Sequence, residues 1–324
     1  MNNNDTIIHV DNLSVEFNKT KVVQEVSFEI PRGAIFGFIG PSGSGKTTTV
    51  RMLTGFYQPT TGEMTVLGHS PTQFTAKTRQ KIGYMPQQFA LYPELTVWEN
   101  LQFAASIYGM PFKRDVRLNE LLEFVELSED RNKLGRNLSG GMKRRLSLAA
   151  TLVHRPELIF LDEPTAGIDP VLRRKFWDHF KTLQDDGCTL FVTTQYVGEA
   201  AYCDYVGVMI QGRLLMVETP QGLRQQAYGG EVVDMHIKQR LLHKDLIALS
   251  DLPFVQAEAT ELPDDRLGVR LVVNDASHAI PTLLKWCEHE YITVESIEEY
   301  HPPFDDVFVE LVKKHTPPKD VSHG

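Results

Sequence analysis

One glycine-rich segment constrains the fold of this chain more than any other feature of the sequence. The residues from Gly40 to Thr47 read G-P-S-G-S-G-K-T, which fits the pattern G-x-x-x-x-G-K-[S/T]. An apolar, strand-like run, Ala34–Ile39, precedes the segment, and a helix-like stretch from Lys46 to Leu53 follows it. The order strand, glycine-rich loop, helix is that of a phosphate-binding loop. A glycine-rich turn without a ligand would not explain why a lysine and a hydroxyl stand side by side after the third glycine.

The residue types in this segment suit the phosphates of ATP. Glycines at positions 40, 43 and 45 let successive backbone N–H groups face one anion, and the following helix adds the positive end of its dipole. We expect Lys46 to reach the outer phosphates and Thr47 to ligate Mg²⁺ through its hydroxyl. The residues predicted to bind the nucleotide here are Gly40, Pro41, Ser42, Gly43, Ser44, Gly45, Lys46, Thr47 and Thr48.

A pair of carboxylates ends a second apolar run, Leu158–Leu161. Asp162 and Glu163 stand where an α/β ATPase places a metal-binding aspartate and a water-activating base. An Asp-Glu pair at the end of a strand is often only a solvated turn, but the phosphate loop upstream favours a catalytic role. We therefore predict Asp162 as the metal ligand and Glu163 as the general base.

The remaining patterns predict a P-loop α/β core with an antiparallel β subdomain, followed by a smaller domain. The apolar runs Leu158–Leu161 and Leu190–Thr193, with the amphipathic stretch Val171–Leu183 between them, are typical of parallel strands joined by a crossover helix. Helical periodicity dominates residues 98–154, which predicts an inserted helical subdomain. The predicted boundaries are an ATP-binding domain at 1–228, a small α+β domain at 231–312 and a disordered tail at 313–324.

Charge and composition argue against several classes of protein. The formal net charge is −9 with no concentrated basic face, which does not suit a nucleic-acid binder. The three cysteines, Cys188, Cys203 and Cys287, are widely separated without metal-ligand spacing, so we expect buried thiols in a reducing compartment. The first residues lack the pattern of a signal peptide, and no apolar run approaches the roughly 18 residues of a spanning helix. Any membrane role is therefore expected to come from a partner.

A third motif resembles that of a known family. Residues 138–142 read L-S-G-G-M at the start of a second helix, and together with the two motifs above they resemble the ABC transporter ATPase family. Ser139, Gly140 and Gly141 would form a second anion cradle that cannot close on the phosphate bound by the same subunit. In the family, this cradle meets the γ-phosphate held by the opposite subunit. The resemblance therefore implies a head-to-tail dimer, either a homodimer or a pair with another ATPase subunit, around two ATP molecules. The family usually has Gln where this chain has Met142, so the serine and the glycines must carry the recognition.

Three more positions match the family's order. Phe17 resembles the aromatic residue that stacks on adenine, although packing at the end of a strand is the alternative. Gln87 resembles the glutamine that contacts Mg²⁺ and the attacking water, with Gln88 as the less favoured choice. Asp169 resembles the key residue of the loop that crosses the dimer interface, and capping of the helix at Pro170 is its alternative reading.

Position 195 departs from the family. Most members carry a histidine there that touches the γ-phosphate, whereas this chain has Gln195. Glutamine can donate a hydrogen bond but cannot carry positive charge or shuttle a proton. If Glu163 is the base, Gln195 can substitute and hydrolysis survives at a somewhat reduced rate; if positive charge matters, turnover is slow. We favour the first interpretation, partly because glutamine at this position resembles a drug-exporter branch of the family.

The resemblance implies an ATP-hydrolysing exporter subunit with a separate transmembrane permease, peripheral at the cytoplasmic face of the cell membrane, with no nucleic acid partner. The Gln87 loop runs into residues 92–100, which resemble the segment beside the groove for the permease's coupling helix. Phe89, Tyr92 and Trp98 would anchor that helix or else pack the helical subdomain against the core. Residues 303–308 resemble the C-terminal extension of two-component drug or lipid exporters. The alternatives are a soluble ABC-type ATPase without a membrane partner and a poorly hydrolysing ATP-binding regulatory subunit.

Overall fold

The computed structural model describes residues 5–88, 91–111, 113–262 and 265–315. Two compact units divide between Val217 and Glu218. This division falls earlier than the boundary predicted from the sequence, because the helix Pro220–Tyr228 packs against the helix Phe304–His315 and so belongs to the second unit.

The first unit alternates strands and helices. Its strands are β1 (Thr6–Phe17), β2 (Thr20–Pro31), β3 (Ile35–Ile39), β4 (Thr61–Val66), β5 (Ile82–Met85), β6 (Leu158–Asp162), β7 (Thr189–Thr194), β8 (Tyr205–Ile210) and β9 (Arg213–Glu218), which ends at the division. Its α-helices are α1 (Lys46–Leu53), α2 (Ala76–Arg79), α3 (Val97–Ile107), α4 (Asp115–Phe124), α5 (Gly140–Leu152) and α6 (Pro170–Asp185). Short 3-10 helices lie at Pro71–Gln73, Gly135–Asn137 and Val197–Tyr202.

A six-stranded sheet forms the centre of this unit. The strand order is β5-β6-β7-β3-β8-β9, and the pairs β5–β6, β6–β7, β7–β3 and β3–β8 are parallel. Strands β3, β6 and β7 are buried at every position, as expected for parallel strands covered on both faces. Their carboxyl ends meet at one edge of the sheet, which is where α/β folds bind ligands. The α/β core predicted from the sequence is confirmed.

A second, antiparallel sheet has the order β2-β1-β4. Its inner face packs on the central sheet through aromatic residues: Phe28 of β2 stacks on Phe36 of β3 with ring centroids 5.5 Å apart. Phe191 of β7 lies 5.3 Å from Phe36, so the aromatic cluster continues across the central sheet. This packing buries both sheets around one core.

Helices α3, α4 and α5 lie between β5 and β6 in the chain. Helix α3 begins at a capping box, in which the Thr96 hydroxyl accepts from the Glu99 amide and the Glu99 carboxylate accepts from the Thr96 amide. Leu118, Leu121 and Leu122 of α4 are buried, which agrees with the apolar periodicity of this segment. Helix α5 then returns the chain to the central sheet.

The second unit is an α+β layer. Its strands are β10 (Glu231–Ile237), β11 (Thr260–Leu262), β12 (Asp265–Val273) and β13 (Val294–Tyr300), and its helices are α7 (Pro220–Tyr228), α8 (His243–Ser250), α9 (Ala276–His289) and α10 (Phe304–His315). The strand order is β11-β12-β10-β13. Residues such as Val233, Leu271 and Leu283 form its core. Helix α10 extends to His315, so residues 313–315 of the predicted tail are helical, while 316–324 lie outside the described residues.

The three cysteines are free and buried, which confirms the prediction from their spacing. No helix in the part of the chain that the structure describes is long and apolar enough to cross a bilayer.

Candidate active site

The glycine-rich loop connects β3 to α1 at the carboxyl edge of the central sheet. Two of its glycines are required by packing: a Cβ on Gly40 would clash with the Met209 carbonyl, and one on Gly45 would lie 2.9 Å from the Val22 carbonyl. Both have positive φ, at 157° and 106°. A Cβ on Gly43, by contrast, would meet nothing within 4 Å, so the turn of the loop is open.

Within the loop, the Ser44 hydroxyl is buried and has no hydrogen-bond partner among the described residues. Buried hydroxyls are normally satisfied, so this one needs an acceptor. An open loop of backbone amides with an unsatisfied hydroxyl fits the phosphates of a nucleotide.

Lys46 extends back over the loop. Its Nζ donates to the carbonyls of Gly40 at 2.7 Å and Pro41 at 3.0 Å, and lies 4.0 Å from Oε1 of Glu163. Burial lowers the pKa of Lys46, while the negative charges of Glu163 and Asp162 act in the opposite direction. The ammonium is thus held at the loop by neutral carbonyls, from which it can turn to a phosphate without leaving the site.

Asp162, at the end of β6, is 1% exposed and accepts two hydrogen bonds on Oδ1. Thr47 donates one at 3.0 Å and Thr193 donates the other at 2.7 Å. The pairing of Thr47 with Asp162 joins the two groups predicted to ligate Mg²⁺. Hydroxyl and carboxylate oxygens are the ligands that this hard cation prefers, so the residues present fit it.

Glu163 is held at a strained backbone position, with φ at 49°. It is 7% exposed, and its amide donates to the hydroxyl of Thr193 at 3.0 Å and to that residue's carbonyl at 3.1 Å. Its Oε2 accepts a hydrogen bond of 2.8 Å from Nε2 of Gln87. Among the described contacts it is Gln87, rather than the alternative Gln88, that reaches the glutamate.

Gln195 follows β7 directly and is exposed. In the described residues no hydrogen bond links its side chain to Glu163, whose carboxylate accepts instead from the side-chain amide of Gln87. The structure therefore brings together Lys46, Asp162, Glu163 and Gln87 but leaves the Gln195 side chain at the surface.

The segment with the second anion cradle begins α5. Ser139 is the N-cap, and its Oγ accepts from the Met142 amide at 3.3 Å. A Cβ on Gly141 would come within 2.6 Å of Leu172 Cδ2, so the glycine lets α5 approach the first turn of α6. Asp169 caps α6, because its Oδ1 accepts from the Leu172 amide at 3.0 Å, which matches the capping alternative. The role of Asp169 at the dimer interface stays a prediction.

Phe17 stands at the end of β1 with 38% of its surface exposed. Its ring lies edge-on to Tyr57 with centroids 5.0 Å apart. One side of the Phe17 ring therefore packs against Tyr57, as the packing alternative expects, and the exposed side has room for a stacked base.

Two residues near the carboxylates were missed by the sequence reasoning. Thr193 contacts both Asp162 and Glu163, yet in the sequence it is one of several residues in an apolar strand. Arg144 of α5 is 6% exposed; burial lowers its pKa, while the charges of Glu163 and then Asp162 act to raise it. The only sequence signal for Arg144 is a basic run one turn after the glycines of α5.

A cavity of about 870 Å³ opens beside β5. It is lined by Arg51, Thr54, Gly55, Phe56, Tyr57, Phe74, Arg79, Ile82, Tyr84, Pro86 and Tyr108. Two of the predicted anchors lie elsewhere: Tyr92 packs on Phe103 at 4.6 Å, and Trp98 packs under the Arg131 guanidinium at 3.5 Å. The third, Phe89, lies outside the described residues.

A glycine-rich loop of the phosphate-binding pattern after β3, at the same edge of the sheet as an Asp-Glu pair at the end of β6, is the arrangement that defines a P-loop ATPase. A family model described as ABC transporter matches residues 23–166. The linearmycin resistance ATP-binding protein LnrL of Bacillus subtilis is 32% identical over 309 residues, which is 94% of this chain and 98% of that protein. The chain belongs to the family of ABC transporter ATP-binding proteins and is an ATPase of that family. The resemblance and the enzyme class predicted from the sequence are confirmed.

Two further comparisons agree. The probable multidrug ABC transporter ATP-binding protein YbhF of Escherichia coli is 38% identical over 239 residues, which is 74% of this chain and 41% of that relative's length. A solved dimeric ATP-binding cassette in a post-hydrolysis state, bound to ADP and Pi, is 26% identical with a TM-score of 0.60. That similarity covers 65% of this chain and 98% of the solved one.

Proposed function

We propose that this chain is the ATP-hydrolysing subunit of an exporter and drives a separate transmembrane permease from the cytoplasmic face of the cell membrane. Relatives named for linearmycin resistance and multidrug transport support the export direction. The observation that carries the proposal is the hydrogen bond of 2.8 Å between Gln87 and Glu163, because Gln87 follows directly on Pro86 of the large cavity. One residue thus stands between the predicted catalytic base and a surface suited to a partner.

In the proposed reaction, the amides of the glycine-rich loop and Lys46 hold the phosphates of ATP. Thr47, Asp162 and Gln87 would hold Mg²⁺, which supplies positive charge beside the transferred phosphate. Glu163 takes a proton from the attacking water. Gln87 occupies Oε2 of this glutamate, which leaves Oε1 to accept that proton.

The catalytic unit is proposed to be a dimer. One chain carries one phosphate loop and one cradle of Ser139, Gly140 and Gly141, so a head-to-tail pair completes two sites around two ATP molecules. Asp169, at the start of α6, would lie at the interface, and the exposed side of Phe17 would stack on adenine. Closure of the dimer on ATP and its reopening after hydrolysis would drive the permease.

The cavity beside β5 is the proposed docking site for a helix of the permease. Five of its lining residues are aromatic, and one of them, Phe56, is 73% exposed, so its ring is free to contact a partner. When the chain is co-expressed with its permease, Phe56→Ala is expected to reduce co-purification about tenfold or more. Val116 is equally exposed at 74% but does not line the cavity, so Val116→Ala is the matched control. Equal retention of the permease by both variants would contradict this docking site.

The hydrolytic mechanism is tested by Mg²⁺-dependent ATP turnover of the purified chain and of Glu163→Gln. Glutamine keeps the shape of the side chain and can still accept from Gln87, while the base and its negative charge beside Lys46 are removed. We expect turnover to fall by about 100-fold or more and the variant to accumulate as an ATP-bound dimer on a sizing column. Glu157→Gln is the matched control, because Glu157 precedes the opposite end of β6, where it pairs with Lys81 at 2.7 Å. Similar turnover in all three proteins would refute the role of Glu163.

A second candidate is a regulatory subunit that binds ATP and hydrolyses it poorly. The observation that favours it is the exposed Gln195, which makes no described contact with Glu163. ATP binding without turnover, both alone and with the permease, would select this candidate over the first.

A further inference from the structure

Glu199 is a buried carboxylate just beyond the predicted catalytic strand end. It lies in the 3-10 helix Val197–Tyr202, four residues after Gln195, and is 2% exposed. Neither of its side-chain oxygens has a hydrogen-bond partner among the described residues. Burial of an unpaired carboxylate is costly, so a cation is needed nearby.

Arg173 of α6 supplies that cation. Its Nε lies 3.6 Å from Oε1 of Glu199, an ion pair slightly beyond hydrogen-bond distance. The guanidinium carbon also lies 3.9 Å from the centre of the Tyr196 ring. A guanidinium can stack on an aromatic face and pair with a carboxylate at the same time, because it is planar and delocalised. We call Arg173, Tyr196 and Glu199 the arginine clamp.

Both ends of the clamp adjoin residues predicted to act at the γ-phosphate or the dimer interface. Tyr196 follows Gln195 directly, and its amide donates to the Thr194 hydroxyl at 3.0 Å. The Arg173 amide donates to the Asp169 carbonyl at 2.9 Å, in the first turn of α6. The side chain of Arg173 therefore ties the turn that begins at Asp169 to the segment that carries Gln195.

We propose that Arg173 is a positioning residue for hydrolysis, which holds Gln195 and Asp169 in a fixed relation through Tyr196 and Glu199. The inference rests on the proposed function, since it assigns the clamp to ATP turnover. Gln195 is exposed and its side chain has no described hydrogen bond, so its placement depends on the backbone that the clamp fixes. The separation of 3.6 Å leaves room for the pair to tighten when a second subunit and ATP close on the site.

The proposal is tested with Arg173→Met, which removes the charge and keeps the length of the side chain. We expect kcat to fall about tenfold, with the Kd for a fluorescent ATP analogue changed by less than about twofold. Arg173→Lys keeps a positive charge opposite Glu199 but loses the stacking on Tyr196, so it is expected to retain part of kcat. Arg174→Met is the matched control, because Arg174 is the exposed neighbour on the same helix. If Arg173→Met folds and retains kcat within about twofold, the positioning role is refuted.

A double-mutant cycle separates positioning from simple loss of stability. If Arg173 acts through Gln195, then Arg173→Met has little further effect on kcat in a Gln195→Ala background. Additive losses, with thermal stability reduced to the same extent, would show a structural role only. If Arg173→Met does not fold, the double variant with Glu199→Gln also removes the unpaired carboxylate and is measured in its place.

Hydrogen exchange provides a readout that does not depend on turnover. Loss of the clamp is expected to raise amide exchange in residues 195–202 of the full chain, whereas Arg174→Met leaves it unchanged. If Arg173→Met raises this exchange while the wild-type chain shows no ATP turnover, the clamp is supported and the proposed hydrolysis is refuted. Unchanged exchange in Arg173→Met would refute the clamp, whatever the turnover.

Discussion

The hydroxyl of Thr193 offers the sharpest test of how the carboxylates are held. It donates to Oδ1 of Asp162 at 2.7 Å and accepts from the Glu163 amide at 3.0 Å, and the residue is fully buried. Thr193→Val removes the hydroxyl and puts a methyl group in its place. The change therefore takes one donor away from a buried carboxylate with little change in side-chain volume.

The size of the effect follows from these contacts. A hydrogen bond to a charged group contributes about 1.5–3 kcal/mol, and Asp162 is 1% exposed, so solvent cannot replace the lost donor. Asp162 keeps its bond from Thr47, and the Glu163 amide keeps the Thr193 carbonyl at 3.1 Å. We therefore expect the free energy of unfolding to fall by about 2 kcal/mol. Turnover at low Mg²⁺ is expected to fall by about tenfold, because the Thr47 hydroxyl alone then orients the Asp162 carboxylate.

The assay is urea unfolding followed by Mg²⁺-dependent turnover. The midpoint of urea unfolding should fall while the dependence of the unfolding free energy on urea concentration stays the same, because both proteins expose the same surface on unfolding. Thr151→Val is the control, because Thr151 is also buried but its hydroxyl donates only within α5, to the Ser147 carbonyl at 2.9 Å. A loss below about 0.5 kcal/mol together with unchanged turnover would refute the view that Thr193 orients the pair.

Three further predictions concern other parts of the chain. Burial raises the pKa of Cys188 to about 12 and of Cys287 to about 11, so both thiols are protonated at pH 8. They should react with Ellman's reagent at least about tenfold more slowly in the folded chain than in urea, and equal rates would contradict their burial. Gln195→His is expected to change kcat only modestly if Glu163 is the base, as proposed, and a gain above about 100-fold would show that positive charge is needed there. The Asp234 carboxylate accepts two hydrogen bonds of 2.7 Å from the Arg270 guanidinium, and Asp234→Ala removes both. The unfolding free energy of the second unit should fall by about 2 kcal/mol, and an unchanged midpoint of thermal unfolding would contradict this.

The candidate site was predictable where its chemistry is local in the chain. The segment from Gly40 to Thr47 carries its amides, cation and hydroxyl in one continuous stretch, so residue types and spacing were enough to indicate a phosphate site. The pair Asp162–Glu163 was predictable because it ends an apolar run, and an apolar run of that length predicts a buried strand. The register of neighbouring strands was not predictable. Thr193 meets Asp162 because the two residues are partners in the parallel pairing of β6 and β7.

The predicted anchors of the partner surface show the same limit. For Tyr92 and Trp98 the sequence left anchoring and packing open; both have packing contacts, on Phe103 and Arg131, and Tyr92 is 49% exposed, so their role as anchors stays a prediction. The cavity beside β5, the proposed docking site, is lined by residues from several separate segments, which include Phe56, Phe74 and Tyr108. No local pattern brings such residues together, because only the packing of α1, α3 and β5 places them on one surface.

The sequence alone therefore determined the fold class and the family of this protein and predicted its phosphate site, since these depend on periodicity and on residue types at fixed spacing. Only the tertiary structure decided that Gln87 rather than Gln195 contacts the Glu163 carboxylate, and that the Thr193 hydroxyl bonds both the Asp162 carboxylate and the Glu163 amide. It also placed Arg173 between Tyr196 and Glu199. These contacts join residues far apart in the chain, and their geometry is set by strand register and helix packing, which residue spacing does not encode.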